Sequence, residues 1–214
     1  MRKGLRLLLF LPAILVLVLA IPRLITGLAV DEVFPVPDGI VSNQIFSPAR
    51  YRQTAAVLSV ADSKDGQTQV MRAAALRLSG APADQVMPVI SEALQQSPAS
   101  VQGWMLLTET LERIDQARAV VALDTVLEMS PFDYWLIIHK ARAGALLWKR
   151  LDPEARQQVL IQTRLLWTRP ELRSLIPSLL SVPGGASLMT TAIQDPEQIR
   201  AINRFVRQQQ LGLR

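Results

Sequence analysis

Glu109 and Glu112 stand three residues apart, the spacing that puts two carboxylates on one face of a helix. Paired carboxylates cleave glycosides when a defined gap separates them across a cleft. On an exposed helix face, with Arg113 beside them, the same pair is solvated charge, and we read it so. His139 is the only histidine, and there is no cysteine. A single imidazole without thiolates does not build a zinc site, and a carboxylate-only site calls for clustered acids. Following Trp135-Leu136-Ile137-Ile138, His139 reads as a packed or half-exposed residue in mid-helix. The chain holds no phosphate-binding glycine loop, no nucleophile elbow and no His-Glu-x-x-His run. Pro183-Gly184-Gly185 is too short for a phosphate cradle, has no lysine after it, and reads as a break between helices. No catalytic, cofactor-binding or metal-binding residue is expected. The rival reading, an enzyme acting on envelope glycan, requires a deep pocket lined by paired carboxylates.

Charge offers a different chemistry. The net charge of +5 is unevenly spread. Residues 140–214 carry twelve basic and five acidic side chains, a surplus of seven. Such an end attracts acidic glycans, anionic lipid, nucleic acid or an acidic protein, or is simply a solvated basic surface. The last helix, over 196–210, places Arg200, Arg204 and Arg207 on one stripe and Ile199, Ile202 and Val206 on another, with Phe205 beside them. These three arginines are the candidate contacts to an anionic partner, and the helix reads as an amphipathic end cap.

The elements that position these residues are all helical. Half the chain is hydrophobic but only 5% is aromatic, and no segment alternates with strand periodicity. Ser47-Pro48 pairs a cap with proline at the first helical position, and Asp152-Pro153 does the same. Turn signals divide residues 47–214 into helices over about 47–61, 67–79, 83–96, 99–113, 115–129, 133–149, 153–167, 171–180, 185–193 and 196–210. Helices of this length joined by short turns imply antiparallel hairpins.

The first residues read as a membrane signal. Arg2, Lys3 and Arg6 precede a charge-free run from Leu7 to Pro22. Extended to Leu28, the helix would measure about 33 Å against a hydrocarbon core of about 30 Å. Leading positive charge predicts a cytoplasmic N-terminus and a body outside. Residues 1–29 are thus expected to be a transmembrane signal-anchor that meets the membrane through residues 5–28. Gly27-Leu28-Ala29 leaves a cleaved signal and a soluble periplasmic module as the alternative. Residues 30–46, with Pro35, Pro37 and Gly39, read as an extended linker.

One motif recurs. Leu94-Gln95-Gln96-Ser97-Pro98 is echoed 33 residues later by Leu127-Glu128-Met129-Ser130-Pro131, and a tryptophan follows each time, Trp104 and Trp135. Between the copies, Trp104, Leu107 and Leu111 take the large positions of a first helix and Thr108 the small one. Ile114-Asp115-Gln116-Ala117 makes a tight turn, and Ala119, Leu123 and Val126 give small-large-small packing. On these residues, 99–133 resembles a tetratricopeptide repeat. The flanking units are degenerate: the next keeps Ala141 but ends at Pro170, 39 residues after Pro131. The resemblance implies an all-α solenoid of stacked hairpins over 47–214, with Trp104, Trp135, Trp148 and Trp167 in its core. It also implies a non-catalytic adaptor that holds another envelope protein on the repeat surface. Together with the anchor, this predicts a single-pass inner-membrane scaffold with a periplasmic body. The basic last third points to acidic polysaccharide or anionic lipid as a further partner, and so to polysaccharide assembly or export. Nucleic acid is not expected.

Overall fold

A computed structural model describes residues 47–60 and 65–210. The expected anchor and linker, 1–29 and 30–46, lie outside the described residues. Among the described residues every regular element is helical, and no helix is long and apolar enough to cross a membrane. The described residues divide into two compact units, one up to residue 100 and one from residue 101.

The first unit holds α1 (Pro48–Val60), α2 (Gly66–Leu78) and α3 (Ala83–Gln96), with α2 packed against both others. Asp65 starts α2 by accepting the backbone N–H of Thr68 at 3.0 Å and its hydroxyl at 2.5 Å. These bonds hold the Asp65 carboxyl below the ordinary aspartate range. Pro88 sits inside α3 without ending it, on the exposed side. The core is small and aliphatic: Ala55, Leu58, Val70, Ala73, Val86, Ile90 and Ala93 are almost fully buried.

The second unit runs through α4 (Val101–Leu111), α5 (Gln116–Met129), α6 (Ile137–Leu147), α7 (Pro153–Thr168), α8 (Ile176–Leu180), α9 (Gly185–Ile193) and α10 (Pro196–Gln210). Short 3-10 turns, Tyr134–Leu136 and Pro170–Leu175, lead into α6 and α8. Asp115, Asp133 and Asp152 each accept a backbone N–H of the first turn they cap. Two hairpins stack: α4 pairs with α5 and α6 with α7, while α6 also touches α4 and α5. Helix α9 then covers α6 and α7.

Helix α6 is the hub because its sequence is small on several sides. Ala141, Ala143, Gly144 and Ala145 are all buried, so neighbouring backbones approach closely. A Cβ on Gly144 would stand 2.4 Å from Val159 Cγ1 of α7. Around this hub the expected packing residues Thr108, Ala119, Leu123, Val126 and Ala141 are inaccessible.

The tryptophans depart from expectation. Trp135 is 51% exposed, and Trp104, Trp148 and Trp167 are only half-buried. For Trp135 the reason is local. Asp133 accepts the Trp135 N–H at 2.9 Å and starts a 3-10 turn rather than an α-turn. That tighter winding, three residues per turn, delivers Leu136 and Ile137 to the core and swings the indole outward. Trp148 and Trp167 lie at the margin under guanidinium groups: Arg156 Cζ stands 5.6 Å from one ring and Arg173 Cζ 4.4 Å from the other. Trp167 also meets Phe205 of α10 edge-on at 6.4 Å.

Gly144→Leu forces the α6–α7 contact apart. It should lower unfolding free energy by about 1–3 kcal/mol in urea melts followed by helical circular dichroism. The same substitution at exposed Ala186 should change it by less than about 0.5 kcal/mol.

Candidate functional site

Glu109 and Glu112 do not form an open carboxylate pair. Glu109, on α4, meets His139 of α6, Nδ1 to Oε1, at 2.5 Å, and its side chain is only 13% exposed. Glu112 is half-buried. The expectation of two solvated acids is therefore corrected: one of them ties α4 to α6 through the single histidine. Neither glutamate lines the groove or the cleft described below.

Much of the basic surplus is engaged in structure rather than solvated. Arg164 Nε donates to Ala192 O at 3.0 Å, Arg173 Nε to Trp167 O at 2.9 Å, and Arg156 Nε to Trp148 O at 3.1 Å. Arg169 lies 5.9 Å from the Tyr134 ring centre. Each caps a carbonyl or covers an aromatic face. Arg200, Arg204 and Arg207 are exposed on one side of α10, as expected, with Ile202 buried on the other. Asp195 starts this helix, accepting the N–H groups of Glu197 and Gln198. Those bonds hold the Asp195 carboxyl below the ordinary aspartate range, and Arg200 adds to the effect.

Three surface features of the second unit could meet a ligand. The first is a groove of about 620 Å³ beside α6 and α9. Ala145, Leu147 and Leu188 make a buried apolar floor. Trp148, Lys149 and Arg150 from the end of α6, Gln116 from α5, and Ser187 and Thr191 from α9 supply the polar lining. Arg150 is oriented by Gln116, its Nε donating to Oε1 at 2.8 Å. Gly184, left-handed at φ 82°, lets the chain enter α9 there, and a Cβ on it would stand 2.9 Å from Ala145 O. No carboxylate is among the described lining residues.

The second is an acidic cleft of about 260 Å³, with Asp124 and Glu128 from α5 and Asp152 and Glu154 from the start of α7. Asp152 is already committed to capping Ala155 N–H. Asp124 Oδ1 is buried without a hydrogen-bond partner. Burial raises the Asp124 pKa, and the Asp152 and Glu128 charges raise it further.

The third adjoins the cleft through Pro131. Met129, Phe132, Tyr134 and Trp135 are all large, apolar and exposed, Phe132 by 70%. They crowd one inter-helix connection, and its underside is polar. Lys140, wholly buried, donates to Ser130 O, and buried Gln162 donates to Pro131 O. Burial pushes the Lys140 ammonium below the ordinary lysine range, partly opposed by Asp133.

The arginine stripe was legible from helical spacing. The groove and the cleft were not. Their only local signals are Trp148-Lys149-Arg150 at a helix end facing the Pro-Gly-Gly break, and Asp124/Glu128 one helical turn apart. Among the described residues no cluster of His, Asp and Glu has the arrangement of a metal site. The chain matches no known family profile, and searches of characterised proteins and of solved structures gave no match.

Two titrations follow. The folded pKa of Asp124 is raised, so its unfavourable charge is present above that value and absent below the ordinary 3.8. Asp124→Asn should raise the urea midpoint at pH 7, and the gap should close as pH falls below about 4. Lys140 is shifted down from 10.5. As pH rises through the interval below that value, the unfolded chain binds more protons than the folded one, so stability rises. The wild-type midpoint should therefore gain on that of Lys140→Met between neutral pH and 10.5, and a constant difference would contradict it.

Proposed function

We propose that this protein is a non-catalytic adaptor of the bacterial cell envelope. In this reading residues 1–29 anchor it in the inner membrane with the N-terminus in the cytoplasm. The helical body stands on the periplasmic side and holds another envelope protein, in the service of polysaccharide assembly or export. One observation carries the adaptor reading: Met129, Phe132, Tyr134 and Trp135 lie exposed together on a connection fixed from below by Lys140 and Gln162. Aromatic and methionine side chains on a rigid support are what protein interfaces use as anchors. A contiguous exposed apolar patch on a folded domain marks an interaction site. The neighbouring Asp124, Glu128 and Glu154 give the surface a negative flank. The partner segment this favours is apolar with basic residues beside it. The stacked α-hairpins support the reading as a scaffold, since such packing builds surface rather than a closed pocket.

A photo-reactive residue at Phe132 should capture one discrete envelope protein in intact cells. Trp135→Ser should reduce that capture several-fold while leaving the unfolding free energy within about 0.5 kcal/mol, because the indole is exposed. Equal, diffuse capture from the same probe at exposed Gln157 would refute the patch as the docking site.

A further inference from the structure

We infer that the groove beside α6 and α9 is a second binding site, for a carboxylate-bearing saccharide. A volume of about 620 Å³ is in the range of ligand pockets. The floor of Ala145, Leu147 and Leu188 is apolar and buried, as such pockets require. Its polar groups are of two kinds, cationic and hydroxyl or amide, with no carboxylate among the described lining residues to repel an anion.

Preorganisation separates this groove from an ordinary basic surface. Gln116 holds the Arg150 Nε at 2.8 Å, which leaves the two terminal guanidinium nitrogens to meet a carboxylate end-on. Arg156 lies over Trp148 and donates to the carbonyls of Trp148 and Lys149, so the Trp148–Arg150 turn is fixed before any ligand arrives. A held turn loses little freedom on binding. Sugar rings present apolar C–H faces to an indole and hydroxyls to Ser187, Thr191 and Gln116, while a uronate carboxylate answers Lys149 and Arg150. A neutral glycan would leave the two cations without a partner. The α10 stripe differs: Arg200, Arg204 and Arg207 lie on an exposed helix face, with Arg200 near Glu197 at 3.8 Å, and line neither the groove nor the cleft. The inference rests on the proposed export of the body only in the choice of polyanion, glycan over nucleic acid.

The test uses the full-length chain in detergent micelles and three probes: hexagalacturonate, its neutral methyl ester, and a single-stranded hexanucleotide. Binding is read by calorimetry and by tryptophan fluorescence. Hexagalacturonate should bind and change the fluorescence, and Trp148→Phe should remove that change. The methyl ester should bind at least about tenfold more weakly. Lys149→Gln with Arg150→Gln should weaken hexagalacturonate about tenfold. The triple change of Arg200, Arg204 and Arg207 to Gln should leave it within about twofold, since exposed rim charges contribute little. Equal affinity for the hexanucleotide overturns the saccharide assignment. Loss of binding in the α10 triple variant, with the Lys149/Arg150 variant unaffected, overturns the groove. Absence of hexagalacturonate binding overturns the inference while leaving capture at Phe132, and so the adaptor reading, intact. Loss of that capture with saccharide binding retained does the reverse.

Discussion

The second unit depends on how the turn at Ser130–Pro131 is tied down. Helix α5 ends there, and the last carbonyls of a helix have no partner within it. Lys140 reaches them from α6 and Gln162 from α7, both fully buried. A buried ammonium is costly unless it meets an acceptor, and the negative end of a helix is a favourable one. One polar node thereby joins three helices. It fixes where the first hairpin stops and how the second stacks on it. Gln162 Oε1 remains without a partner, so the node is not fully compensated.

That node explains what the sequence disclosed and what it concealed. Helix limits were readable because caps are local: Asp115, Asp133, Asp152 and Asp195 accept N–H groups only two or three residues ahead. Ala119, Leu123 and Val126 were readable because a buried helix face repeats at fixed spacing. The pairs that matter most lie far apart along the chain. Lys140 is 10 residues from Ser130, His139 is 30 from Glu109, and Gln162 is 31 from Pro131. No periodicity reports which carboxylate will turn inward to meet the one imidazole. Trp135 misled for a finer reason. Asp133 reads as a cap whether an α-turn or a 3-10 turn follows, and the turn that forms is 3-10, with the indole exposed.

Charge shows the same division. Summed over residues 140–214, the basic surplus suggested a broadly positive surface. In the fold Arg156, Arg164 and Arg173 bind carbonyls, and Arg156, Arg169 and Arg173 cover aromatic rings. Guanidinium does both at once, because its donors lie in a plane whose face stays apolar enough to stack. These contacts fix where each positive charge sits without cancelling it, so a regional sum does not say where charge is presented. Beside the exposed Arg200, Arg204 and Arg207, charge is left over at two cavities: cationic at Lys149 and Arg150, anionic around Asp124 and Glu128.

Both leftover regions draw on the same two hairpins. Helix α5 contributes Gln116 to the basic groove at its first residue and Asp124 and Glu128 to the acidic cleft further along. Helix α7 gives Glu154 to the cleft and, through Arg156, steadies the Trp148 turn of the groove. A change in the α5–α7 packing would therefore disturb both surfaces together, and the small residues of α6 allow little adjustment between them. Opposite charge is thereby carried on one scaffold, and in the proposed adaptor ligands of opposite charge are kept from competing for one surface. The groove repels what the cleft attracts, so each site gains selectivity from the charge it lacks.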